Sequence, residues 1–182
     1  MSQLSVFAEN SFELPNKVLT HPEDISATLA EVGVRFLRWP LTPAPAGKAD
    51  ADELLAYCQP QLDQLMDEQS YAVQQVLKLD QQQLLEQSEW LQEQRCNGTE
   101  LRFILLGSLQ VNLHIEGYVY SLLCEAGDLL GLPAGCRQWL DCTAPVLAVR
   151  LGKDAAGLEL HSSGDSIASR LARLEDFYSA GA

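Results

Sequence analysis

A chain of 182 residues, 47% hydrophobic and 20% charged, has the length and composition of one globular domain with a sizeable core. Its net charge of −13 excludes a partner built on a phosphate backbone and opposes an anionic membrane surface, since both need clustered Lys and Arg. Met1-Ser2-Gln3-Leu4 has neither a basic nor an apolar leader, and no apolar run reaches the ~20 residues of a membrane span, so a cytoplasmic protein is expected.

In chain order, Leu4–Phe7 alternates as a short strand. Thr20-His21-Pro22-Glu23 has the form of a capping box opening a helix through Ile25, Leu29 and Val32 that stops at Gly33. Val34–Trp39 reads as a strand, with Val34 and Phe36 inward, and the proline-rich segment from Pro40 to Gly47 as a loop. Over 50–68, Leu54, Leu55, Cys58, Leu62, Leu65 and Met66 recur at helical spacing, and Pro60 is expected to kink or split that helix. Residues 71–79 fit strand or helix equally. Residues 80–92 predict a glutamine-rich helix with Leu84, Leu85, Ser88 and Leu91 inward.

From Glu100 the texture changes to short strands at close intervals: 101–106, 109–115, 118–124, 128–132 and 146–151. Turns fall at Gly107-Ser108, Glu116-Gly117, Ala126-Gly127 and Pro133–Gly135. That spacing predicts a mainly β, antiparallel double-sheet jelly roll or barrel with helices packed outside. The tail predicts a short helix over 166–177. The chain divides into flanking strands and helices (1–93), a barrel core (94–151) and a C-terminal piece (152–182) of a single domain.

Two stretches carry candidate chemistry. The first is Gln94, Cys96 and Glu100, closed by Gly107; the second is Gly127, Pro133-Ala134-Gly135 and Gln138. They resemble the two halves of the cupin motif, in which a barrel mouth gathers histidines and one carboxylate on a metal. Here Glu100 keeps its place, and Gln94, Cys96 and Gln138 stand where histidines are expected. Amide oxygens are weak donors to Fe(II) or Ni(II), and a thiolate favours softer metals. His114, between Leu113 and Ile115, reads as a hydrogen-bonded core histidine, and His21 and His161 as surface or cap residues. The odd set of five cysteines argues against a disulfide framework. Cys124 and Cys142 read as small core residues, and Cys96 and Cys136 as inert or mildly reactive thiols, with a rearranged Cys96/Cys136/Glu100 site as the alternative.

Across nearly its whole length the sequence resembles acireductone dioxygenase, a cupin of methionine salvage. The resemblance rests on Gly33-Val34-Arg35-Phe36-Leu37-Arg38-Trp39, on Glu100-Leu101-Arg102-Phe103, on Pro133-Ala134 with Trp139 and Asp141, and on Gly164-Asp165-Ser166-Ile167-Ala168. It implies oxygen-dependent cleavage of an enediolate chelated to Fe(II) or Ni(II). It places the metal ligands at Gln94, Cys96, Glu100 and Gln138, and a substrate-facing arginine at Arg102. It also places Thr99 where the family has an acid, Leu140 and Leu158 where it has aromatics, and Trp90 near the mouth.

Three readings follow. The first is a cupin that holds no tightly bound metal and takes a small anionic or enolic, acireductone-like molecule. In it Arg102 supplies the ionic contact, Trp90, Gln138, Leu140 and Leu158 line the pocket, and Glu100 is a catalytic base raised by burial. The second keeps the dioxygenase alive on the altered ligands. The third is a non-catalytic interaction protein using the acidic face of 48–93.

Overall fold

Alternation along Glu100–Leu106 decides the architecture. Leu101, Phe103 and Leu105 pack outward with Cys58, Leu62 and Leu65 of a long helix, while Ile104 joins the interior with Val111, Leu113, Leu122 and Leu140. Both faces of this strand are covered, which is why it reads as a nearly unbroken apolar run.

The computed structural model describes residues 1–39, 41, 50–86 and 88–179. Its elements are β1 (Gln3–Ala8), β2 (Lys17–Leu19), α1 (Pro22–Ala30), β3 (Arg35–Arg38), α2 (Ala51–Gln69), β4 (Val73–Leu79) and α3 (Gln81–Glu86). There follow β5 (Gln94–Arg95), β6 (Glu100–Leu106), β7 (Ser108–Ile115), β8 (Tyr118–Glu125), β9 (Asp128–Leu132), β10 (Arg137–Asp141) and β11 (Val146–Gly152). The chain ends with α4 (Ala155–Leu158), β12 (His161–Ser162) and α5 (Leu174–Ser179). The strands form a seven-stranded sheet, β12-β5-β10-β7-β8-β1-β2, facing a five-stranded sheet, β3-β9-β6-β11-β4. Each named pairing is antiparallel, giving the expected cupin double sheet. No helix among the described residues is long and apolar enough to cross a membrane.

Gly107 shows why the β6–β7 turn needs glycine. Its φ is +80°, and a Cβ there would run into the Pro145 carbonyl.

Several expectations are corrected. The N-cap of α1 is His21 rather than Thr20 and makes no side-chain cap bond; Pro22 and the acids Glu23 and Asp24 support the first turn instead. Pro60 does not split α2, which runs unbroken for 19 residues. Pro60 and Ala56 lie on the exposed face, where the carbonyl that proline leaves without a partner can be hydrated. Residues 71–79 resolve as strand β4. The helix expected over 80–92 ends at Glu86 and is followed by a 3-10 turn, Ser88–Leu91; Leu84 is buried but Leu85 is 57% exposed. The tail helix is replaced by a 3-10 turn (Ile167–Ser169) and the later α5. The start of α5 is set by Asp141, whose carboxylate accepts from the Leu174 N–H at 2.8 Å and from Arg173 at 2.9 Å. Strand β10, left out by the sequence reading, carries Gln138 and Leu140 into the barrel. The proline-rich loop expected from Pro40 to Gly47 lies, apart from Leu41, outside the described residues.

Candidate ligand site in the barrel

The residues expected to form the site fall into two neighbouring pairs. Gln94 and Gln138 are direct cross-strand partners of β5 and β10, and both are buried. Cys96 and Glu100 are also buried, with Cys96 Sγ 3.9 Å from Glu100 Oε2. The Cys96 carbonyl accepts from the Gly135 N–H at 2.8 Å, which ties the first motif half to the Pro133–Gly135 turn of the second.

The centre of the site is one that sequence reasoning missed. Arg150 on β11 lies in register between Gln75 on β4 and Arg102 on β6. Its Nε and Nη2 donate to Glu100 Oε1 and Oε2, both at 3.0 Å, and Nη1 donates to Gln75 Oε1 at 3.0 Å. Nη2 also reaches the Leu158 carbonyl at 2.9 Å and Cys96 Sγ at 3.2 Å. Arg102 donates from Nε and Nη2 to Glu100 Oε1 at 2.9 and 2.6 Å. The Trp90 ring lies 5.7 Å from the Arg102 guanidinium and 5.2 Å from that of Arg150, a double cation–π contact. A single arginine inside Val146-Leu-Ala-Val-Arg-Leu-Gly152, where every other residue is apolar, was the available signal.

Local backbone geometry holds this arrangement. A Cβ on Gly98 would come 2.8 Å from Gly157 Cα, and the Gly98 N–H donates to the Gly157 carbonyl at 2.9 Å. The glycine pair lets α4 press against the loop after Cys96. That contact seats Leu158 over Gly152 and aims its carbonyl at Arg150. Leu158 therefore serves the site through its carbonyl oxygen, while Leu140 is a fully buried member of the interior apolar cluster. Thr99, which the resemblance sets where an acid is expected, pairs with the Tyr71 hydroxyl at 2.8 Å.

The electrostatics overturn one expectation. Burial alone would raise the Glu100 carboxyl, but the guanidinia of Arg102 and Arg150 hold it below its ordinary value. Glu100 is an ion-pair partner with four guanidinium hydrogen bonds, not a base poised to take a proton. Burial, then the neighbouring Glu100 charge, pushes the Cys96 thiol up, and burial pushes Cys136 up to about 12. Burial thus disfavours the thiolate at both cysteines. Burial opposes the charge on Arg150, yet Glu100 raises its pKa further.

These residues do not fit Fe(II) or Ni(II). The Glu100 carboxylate already accepts from two cations, burial disfavours the thiolate that a metal would need at Cys96, and the remaining donors are two amides. A dication would be the third positive centre around one buried carboxylate. The buried Glu100, Arg102 and Arg150 together carry a net formal charge of +1. Among the buried polar atoms of the described residues that lack a hydrogen-bond partner are two at expected site residues: Arg102 Nη1, a donor, and Gln138 Oε1, an acceptor.

The three histidines lie outside this cluster. His114 points away from the barrel and bonds Glu93 and Glu9. His21 caps α1 through its backbone, and His161 approaches Asn97 at 3.5 Å.

No model of a known protein family matches the chain. Among curated proteins, an acireductone dioxygenase of Pseudomonas fluorescens is 42% identical over 181 residues, covering 97% of this chain and 100% of the relative. One from Pseudomonas aeruginosa is also 42% identical over 181 residues, with the same coverage. Among solved structures, an acireductone dioxygenase from Bacillus anthracis with a cadmium ion in its active centre superposes with a TM-score of 0.71. It is 19% identical, and the match covers 88% of this chain and 98% of that one.

Proposed function

The chain belongs to the acireductone dioxygenase family, and from that premise we propose that this member binds a small enolate or carboxylate monoanion without a metal, in the barrel that its relatives share. The observation that carries the reading is the unspent donor Arg102 Nη1 inside a cluster of net charge +1. A buried donor left unpaired costs about 1–3 kcal/mol, and a buried unbalanced charge costs more. One monoanion relieves both. Gln138 Oε1 adds an unspent acceptor, which suits an enol or acid that still carries a hydroxyl proton.

The chemistry available to this chain's own residues is recognition. Arg102 offers Nη1 to the anion while Glu100 fixes its other two donors, so the guanidinium is held before a ligand arrives. Arg150 supplies the second positive charge, anchored by Gln75, Glu100 and the Leu158 carbonyl. Trp90 covers both cations with an apolar face. Proton transfer through Glu100 is not part of the reading, because its depressed pKa and saturated oxygens oppose it.

Calorimetric titration with reductic acid, a small enediol, and with pyruvate tests the proposal. Parent protein is expected to bind at least one of them, and Arg102→Met, which keeps the stem and removes the donors, should weaken binding about 10–100-fold. Equal affinity in R102M sinks the reading. The full-length identity to proteins named acireductone dioxygenase favours a second reading, an active dioxygenase on altered ligands. It requires near-stoichiometric iron or nickel after anaerobic purification, and dioxygen uptake with acireductone. Metal content equal to that of a chelator-treated control rules it out.

A further inference from the structure

A second set of donors has assembled on the outer face of the seven-stranded sheet, apart from the barrel cluster. Leu113 packs in the barrel interior, so His114 beside it on β7 faces outward, yet it is only 4% exposed. Its Nδ1 lies 2.7 Å from Glu93 Oε2, and its Nε2 lies 2.8 Å from Glu9 Oε2. The C-terminal segment brings a third carboxylate to the same place. Pairing of β12 with β5 sets Ser162 opposite Gln94, and the Ser163 N–H donates to the Glu93 carbonyl at 3.1 Å. Two residues on, Asp165 is fixed by accepting from the Ile167 N–H at 2.9 Å. One ligand atom each from Glu93, His114 and Asp165 falls within 4.8 Å of the others.

The charges around His114 are unbalanced. Glu93 is fully buried and its Oε1 has no hydrogen-bond partner; the nearest cation, Arg137 Nη1, stands 3.8 Å away. Asp165 and Glu9 add two more negative groups. A neutral imidazole has one N–H and cannot donate to carboxylates on both sides. Either a second proton or a metal cation has to take the remaining nitrogen.

We infer that Glu93, His114 and Asp165 form a binding site for one divalent cation of the zinc class. One imidazole nitrogen and two carboxylate oxygens are a donor set zinc accepts, with solvent completing the shell at the exposed Asp165 edge. Glu9, on Nε2, is the outer carboxylate that fixes the ring and leaves Nδ1 for the metal. Zinc–ligand bonds of ~2.0–2.1 Å imply donors about 3.3 Å apart, so the Nδ1–Oε2 contact must open by roughly 0.6 Å. The cation would staple the C-terminal segment to β5 and β7. The inference is independent of what the barrel binds.

Titration calorimetry of the chelator-treated full chain with Zn(II) alone tests it. One equivalent is expected to bind and to raise the melting temperature. Asp165→Asn keeps the oxygen that accepts from Ile167 and is exposed, so it should fold normally and weaken Zn(II) by at least about tenfold. Cys96→Ser, in the barrel, should leave the affinity unchanged. No binding by the parent, equal binding in D165N, or loss in C96S each overturns the inference, the last by moving the ion into the barrel.

Discussion

At the scale of single residues, Glu100 is the one that reorganises the site. It sits where the resemblance places a metal ligand, and its carboxylate is paired with two buried arginines. Replacing one member of a buried ion cluster leaves the others uncompensated, typically at a cost of 3–5 kcal/mol. Glu100→Gln should lose about that much at neutral pH. Its folded pKa lies below the ordinary glutamate value of 4.5, so the unfolded chain binds the proton more readily. The stabilisation is therefore fully present above about pH 4.5 and is lost as pH falls through the folded value. Burial raises Asp128, against its partners Ser2 and Arg38, and its contribution runs the other way, favouring the fold in acid. Urea unfolding of parent and E100Q between pH 3 and 7 checks the sign. The two stabilities should converge toward acid, and parallel curves would place the acid dependence elsewhere.

At the scale of elements, α2 shows how tertiary contact overrides a local breaker. Its start is secured by a capping box in which Asp50 accepts from the Glu53 N–H at 2.8 Å and Glu53 reaches back to the Asp50 N–H at 3.2 Å. Cys58, Leu62 and Leu65 then clamp both sides of Pro60 onto the outer face of β6 and β11. The helix already tolerates the ring, so Pro60→Ala should restore a backbone bond at an exposed position. We expect a gain of about 1–3 kcal/mol in unfolding free energy, measured by chemical denaturation. A loss would mean that the proline, through a stiffer unfolded chain, was the stabilising choice. The strands from β6 onward were legible because Gly-containing turns punctuate short apolar runs. β10 was not, because Arg137-Gln-Trp-Leu-Asp141 is short and shows no clean alternation of polar and apolar residues. The tail helix failed for another reason: its start depends on Asp141, a residue 33 positions away from the Leu174 N–H it caps.

At the scale of the whole molecule, the interior cluster draws residues from Leu4 to Ala148, from both sheets and from α1 and α3. A core shared by early and late segments cannot be lost piecemeal. The chain is therefore proposed to be one cooperative unit, and calorimetry should show a single transition whose van't Hoff and calorimetric enthalpies agree. Two resolved transitions would separate the N-terminal 1–93 piece from the barrel.

The sequence by itself determined the family and the antiparallel double sheet. Those rest on local spacing, turn chemistry and residue identity, which are written along the chain. Only the tertiary structure decided what surrounds Glu100. Arg150 lies 50 residues from Glu100 and reaches it because β11 pairs with β6 in a register that sets Arg150 beside Arg102. The same long-range pairing turned Glu100 from an expected base into an anion held between two cations. It also brought His114, Glu93 and Asp165 together on the opposite face of the sheet. Register and burial set those charges, and neither can be read from a spacing.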